Sequence, residues 1–209
     1  MKLVLISDTH GQHEQLSLPG GDLLIHAGDV SSHGDELEIS DFLSWFSKQD
    51  FEHKVFIAGN HDFHFDRVTQ QEISELIPAD LHYLNDSGVT IEGLKIWGSP
   101  VQPRFFDWAF NRDRGADIAR HWEMIPKATD ILITHGPPFG ILDETVSGMN
   151  VGCEDLLETI RQTKVKLHVF GHIHEAYGVE ESGGVKFVNA SVLDFKYNQV
   201  NAPIVMELD

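Results

Sequence analysis

Short apolar runs, each broken off by a polar turn, recur along the chain. Lys2 to Ser7, Leu23 to Ala27, Lys54 to Ala58, Asp130 to Thr134 and Lys166 to Phe170 are too short for helices and read as buried strands. Helical spacing is expected from Asp35 to about Ser47, where Leu37, Phe42, Leu43 and Phe46 recur and acidic residues fill the first turn, the end the helix dipole favours. Further helices are expected over Val68 to Ile77, stopping before Pro78, over Asp117 to Met124, and over Glu154 to Thr163 with Leu156, Leu157 and Ile160 on one face. Val89 to Ile91 and Leu94 to Trp97 alternate about Glu92-Gly93, which predicts a hairpin, and a second hairpin turns at Gly183-Gly184. Pro203 to Leu208 offers a last strand. Gly11 to Gly21, Arg104 to Arg114 and Phe139 to Gly152 read as connections. No linker, repeat or low-complexity stretch interrupts the pattern, so one domain over residues 1–209 is expected, long enough for one substantial core.

The residues at the ends of these runs carry the candidate chemistry. Ser7-Asp8-Thr9-His10, Gly28-Asp29, Gly59-Asn60-His61-Asp62, Thr134-His135-Gly136 and Gly171-His172-Ile173-His174 all place metal-ligand residue types where a strand leaves its sheet. A lone carboxylate such as Asp29 reads as a solvated loop residue. Repeated at every strand end, the pattern has a simpler common cause, a metal centre at one edge of a sheet with Asp29 placed to bridge two ions. In extended chain, residues i and i+2 project to the same side, so Asp8 and His10 can grip one ion. Gly28 lets the backbone turn sharply and leaves room beside it. Asp, His and Asn without cysteine suit borderline or hard divalent ions, Mn, Fe, Zn, Co or Ni.

Composition excludes more than it identifies. With 33 acidic against 15 basic side chains the formal charge is −18, a surface that repels polyanions, so tight nucleic-acid binding is not expected. A small phosphoester or nucleotide remains compatible, because two divalent ions would add positive charge at the site itself. The single cysteine, Cys153, precludes an internal disulfide and fits a reducing, cytoplasmic setting. The first apolar run stops at Asp8, so neither a signal peptide nor a membrane span is expected.

The five motifs, in this order, make the chain similar to the calcineurin-like metallophosphoesterases, whose pattern runs DxH, GD, GNH followed by D or E, GH, and GHxH. Trp97-Gly98-Ser99-Pro100, Thr134-His135-Gly136-Pro137-Pro138, Leu167-His168-Val169-Phe170-Gly171 and Val188-Asn189-Ala190-Ser191 resemble the metallophosphoesterase-domain-containing (MPPED) subgroup. The resemblance implies an α/β fold, a two-sheet β-sandwich flanked by helices. It implies one ion on Asp8, His10 and His174, another on Asn60, His135 and His172, and Asp29 between them. A hydroxide shared by the ions would attack phosphorus, with manganese among the expected metals. His61 would protonate the leaving group as general acid, and Asp62 would orient its ring.

The expected activity is therefore metal-dependent phosphodiester hydrolysis, on small or cyclic nucleotides. Alternatives are a phosphomonoesterase or protein phosphatase, and an inactive binding scaffold. The complete ligand set, His172 included, speaks against the scaffold, and a chain of 209 residues leaves little for the extra segments of a protein phosphatase. His26 and His168, inside strands, read as satisfied polar groups beside the core. His13, His33 and His64 read as solvated loop residues near the motifs, and Cys153 as small packing. In Arg104 to Arg112 the aromatic residues read as a cover over one end of the sandwich, with stacking on a nucleobase as the competing reading.

Overall fold

The computed structural model describes residues 1–208. Its first half builds a parallel sheet from β1 (Lys2–Ile6), β2 (Leu23–Ala27), β3 (His53–Ile57) and β4 (His82–Tyr83). Helices α1 (Glu36–Ser47), α2 (Phe63–Arg67) and α3 (Gln70–Leu76) occupy the connections. In the second half, β5 (Ser87–Ile91) and β6 (Leu94–Ser99) form the expected hairpin, and β7 (Gln102–Pro103) pairs with β8 (Asn111–Arg112) in a two-stranded patch. Strands β9 (Ile131–Thr134), β10 (Leu167–Phe170), β11 (Gly178–Ser182) and β12 (Val185–Asn189) come next, with α4 (Ala116–Trp122) before β9 and α5 (Glu154–Ile160) between β9 and β10. Strand β13 (Ile204–Glu207) returns to lie antiparallel on β1. The two main sheets run β13-β1-β2-β3-β4 and β11-β12-β10-β9-β6-β5.

The sheets face each other across Leu3, Leu5, Leu23, Ile25, Val55 and Ile57 on one side and Ile96, Ile131, Ile133, Leu167, Val169 and Val188 on the other. Alternate residues of the same strands point outward, where Val4, Ile6, Leu24 and Phe56 meet α1, and Leu132 and Phe170 meet α4 and α5. Both faces are covered, which is why the strands read as continuous apolar runs. At roughly 2 kcal/mol for each fully buried aliphatic side chain, the facing layers outweigh any single polar contact in the fold. Among the described residues no helix is long and apolar enough to cross a membrane.

Some local expectations shift. Helix α1 starts from Asp35, whose side chain accepts the Glu38 N–H at 2.9 Å. Its buried residues are Ile39, Phe42, Leu43, Trp45 and Phe46, whereas Leu37 points to solvent at 81% exposure. Thr69 and Glu72 form a capping box, so α3 begins at Gln70, two positions after Val68. Helix α2 has no counterpart among the expected helices, and a 3-10 turn at His13–Gln15 interrupts the first connection.

Candidate metal centre

The parallel strands β1, β2, β3, β9 and β10 all end at the same edge of the sandwich, and the motif residues leave from those ends. The sheets are linked there by a bridge between Ser7 and Ser191. Ligands of open parallel sheets gather at this edge because the chain turns outward there and frees its side chains. The turns are sharp: Asp8, His10, Asp29 and His172 all adopt positive φ, at 56°, 42°, 55° and 69°. A non-glycine residue tolerates that conformation only where its surroundings hold it, a condition that clusters at functional sites.

Two groups of donors result, overlapped by a third set of His10, Asp29 and His61. Asp8, His10 and His174 bring one atom each within 4.8 Å of one another, and Asp29, His135 and His172 do the same. Asn60 joins the second group, its Oδ1 2.9 Å from His135 Nε2. Asp29 belongs to both sides: its Oδ2 lies 3.5 Å from His10 Nε2 and 3.3 Å from His135 Nε2. Its other oxygen accepts the backbone N–H of His61 at 2.8 Å, which fixes the carboxylate. All seven expected ligands thus converge on one centre.

The donor set fits divalent metal by its hydrogen bonding. His135 Nδ1 faces the Ala27 carbonyl at 3.0 Å and His174 Nδ1 the Asp194 carbonyl at 3.0 Å. Each carbonyl takes the Nδ1 proton and leaves the Nε2 lone pair aimed into the centre, the arrangement that orients a ligating imidazole. Without an ion, the buried carboxylates draw protons instead. Burial alone would lower His135, but the adjacent Asp29 charge, with Asp8, pushes it up to about 9. His174 likewise rises to about 9, against its burial, through the hydrogen bond and charge of Asp8. His10, although Asp29 lies 3.5 Å away, and His172 are pushed down by burial to about 4 and about 3. Protons held at the first pair are those an ion would displace on binding.

His61 lines the cavity beside this centre, its Nδ1 2.8 Å from the Ser32 carbonyl. The expected role of Asp62 is corrected by its contacts. Its carboxylate accepts hydrogen bonds from Val30 N at 3.2 Å, Ser31 N at 3.0 Å, Ser31 Oγ at 2.5 Å and Gly59 N at 2.8 Å. It ties the loop after β2 to the loop after β3, and the Ser32 carbonyl orients the His61 ring. The resemblance implies contact between the two side chains, but the backbone turn after Asn60 sends them apart. Burial, with the nearby Asp29 charge, pushes Asp62 up to about 6, opposed by those same hydrogen bonds.

The centre floors a cavity of about 370 Å³ whose walls include Arg104, Phe105, Trp108, Arg114 and Tyr197. Trp108 packs on the His61 ring at 4.2 Å between centroids. The expected aromatic cover therefore divides. Phe110 is buried in the core and Trp108 backs His61, while Phe105 and Phe106 stand 57% and 75% exposed, so neither covers the sandwich. His13 is fully buried against Phe42 and Trp45, contrary to the expected solvated histidine. His33 is exposed and His64 half-buried, and neither lines the cavity. His26 and His168 are buried with Thr9 and Thr134 as partners, at 3.0 and 2.8 Å. Cys153 is buried among apolar side chains. Tyr197, near the C-terminal end of the chain, is the wall residue that no pattern in the sequence signals.

A family model described as "Calcineurin-like phosphoesterase" matches residues 1–176. The human and mouse proteins named "Metallophosphoesterase domain-containing protein 1" are each 42% identical to this chain over 99% of its length and 71% of theirs. A UPF0046 protein of Caenorhabditis elegans is 37% identical over 98% of this chain and 74% of its own. One crystal structure superposes with a TM-score of 0.67 over 93% of this chain and 91% of the other, at 15% identity, a likeness of fold.

Proposed function

The chain belongs to the calcineurin-like phosphoesterase family, and from that premise we propose that it hydrolyses phosphodiesters of small or cyclic nucleotides at a centre of two divalent ions. The observation that carries the reading is the pair of donor groups sharing Asp29 at the floor of an aromatic-walled cavity. Asp8, His10 and His174 would hold one ion and Asn60, His135 and His172 the other, with Mn, Fe, Zn, Co or Ni fitting these oxygen and nitrogen donors. When bound, such a pair supplies positive charge for the phosphate oxygens and an activated water near neutral pH.

The chain's own groups do the rest. His61 donates its Nδ1 proton to the Ser32 carbonyl and lines the cavity, and as the doubly protonated imidazolium it also carries an Nε2 proton that it can pass to the departing alkoxide. Trp108 holds that ring in place from the other side. Asp62 acts through the backbone, keeping Asp29 and Asn60 in register by joining their loops.

The charge of the walls supports a diester. Arg104 is paired with Asp113 at 2.6 Å, and Arg114 is held by Glu154 and by the Gly152 and Val151 carbonyls at 2.7 and 2.8 Å. Both arginines lining the cavity thus already carry a carboxylate partner that offsets their charge, so they offer less to the second negative charge of a monoester. The test compares kcat/KM for a bis-aryl phosphate or cyclic nucleotide with that for the matching monoester, at one pH and with one metal. The diester is expected to be the better substrate. A monoester preferred tenfold, about 1.4 kcal/mol in transition-state binding, would replace this reading with a phosphomonoesterase.

A further inference from the structure

Beside the centre the chain ties a tight loop from Asp194 to Asn198. Asp194 Oδ1 accepts the N–H groups of Lys196 at 2.8 Å and Asn198 at 2.9 Å, and its carbonyl accepts that of Tyr197 at 2.9 Å. The same carbonyl receives His174 Nδ1 at 3.0 Å. From the opposite side Gln12, two residues beyond His10, donates its side-chain amide to the Tyr197 carbonyl at 3.1 Å. The loop is therefore fastened to the chain segments that carry both histidines of the Asp8 group. Tyr197 sits in it with φ 62°, a left-handed conformation that a bulky side chain adopts only where something holds it.

What that conformation achieves is the placement of the ring. It stands edge-on to His10, with centroids 4.9 Å apart and planes at 73°, and edge-on to His174 at 5.2 Å and 71°. It also lines the cavity and stays 46% exposed, so its position is not explained by core packing. Among the described residues no other aromatic ring touches both imidazoles, whereas His135 and His172 pair only with each other.

We propose that Tyr197 is a positioning residue for the ion on Asp8, His10 and His174: its ring braces both imidazoles and covers them from the cavity side, strengthening the hold on that ion alone. The inference rests on the two-ion reading above. Glycine adopts φ 62° without steric strain, so Tyr197→Gly removes the ring and leaves the loop backbone unstrained. Tyr197→Phe keeps the ring and removes only the hydroxyl.

The parent and both variants, loaded with Mn, are compared by chelator competition that resolves each bound equivalent, with melting temperatures taken on the metal-free proteins. Parent and Tyr197→Phe are expected to hold two ions alike. Tyr197→Gly is expected to hold one equivalent at least tenfold more weakly, the other unchanged, with no fall in metal-free melting temperature. A glycine variant that keeps both ions as tightly as the parent overturns the positioning role. So does one that weakens both equivalents together while melting earlier, since that is general loosening. A parent that binds no ion overturns the two-ion reading itself, a result separate from either.

Discussion

Replacing Gly28 by alanine tests how closely the ends of β2 and β3 must approach β9 to bring Asp29 and His135 together. Gly28 has φ 100°, and a Cβ there would lie 2.5 Å from His135 Nδ1 and 2.7 Å from the Ala58 carbonyl oxygen. Left-handed backbone costs a non-glycine residue about 1–2 kcal/mol. Forcing extra volume into a packed site costs about 1–3 kcal/mol more, giving roughly 2–5 kcal/mol in all. For a chain of this size, each kcal/mol corresponds to about 2–4 °C, so melting should fall by roughly 4–20 °C. The atom to yield first is the His135 ring, whose contact with the Ala27 carbonyl at 3.0 Å fixes its tautomer, so ion affinity should fall with stability. Gly20→Ala is the control, because nothing lies within 4 Å of a Cβ at that position. Calorimetry and metal titration of both variants provide the assay. If Gly28→Ala melts with the control and binds ions like the parent, the close approach does not matter and the reasoning is wrong.

Other consequences can be checked independently. His61→Ala should keep its ions but lose roughly 10²–10⁴-fold in turnover, with a smaller loss on nitrophenyl esters, whose leaving group needs less protonation; equal losses on good and poor leaving groups would exclude the acid role. Because the ligands are scattered from Asp8 to His174, ions at a hundred times their dissociation constant should add about 2.7 kcal/mol of stability, seen as a melting temperature that chelator lowers and Mn restores. Burial pushes His168 down to about 3, while the unfolded chain takes up that proton near pH 6.5. Stability should therefore fall as pH drops from 6.5 towards 3, this group contributing up to about 1.4 kcal/mol per pH unit, and His168→Gln should flatten that limb in urea melts; an equally steep limb would show that His168 does not titrate there.

The residues that sequence reasoning could place are those whose position is set by a strand end. Asp8, Asp29, Asn60, His135 and His172 each leave a short apolar run, so knowing the runs is knowing that these side chains can share an edge. Long-range geometry stayed hidden where adjacency misleads. Asp62 comes directly after His61 in the chain yet binds Val30, Ser31 and Gly59, because a turn separates the two side chains. Leu37 fits an apolar spacing as well as Ile39 does, and only the packing of α1 on β1–β3 decides which is buried. Helix α2, five residues long, is shorter than the stretch over which helical spacing can be recognised. Tyr197 reaches the centre through a loop turned by Asp194 and fastened by Gln12, the latter at a separation no local pattern records.

Asp29 is the one side chain shared by both donor groups, so its removal addresses the two-ion centre directly. Native mass spectrometry of the parent and of Asp29→Ala, each equilibrated with Mn, counts the ions per chain. Two ions on the parent and none on the variant is the expected result, since three ligands on each side remain but the carboxylate between them is gone. A variant that still carries two tightly held ions, or a parent that carries none, would contradict the shared centre on which the proposed hydrolysis depends.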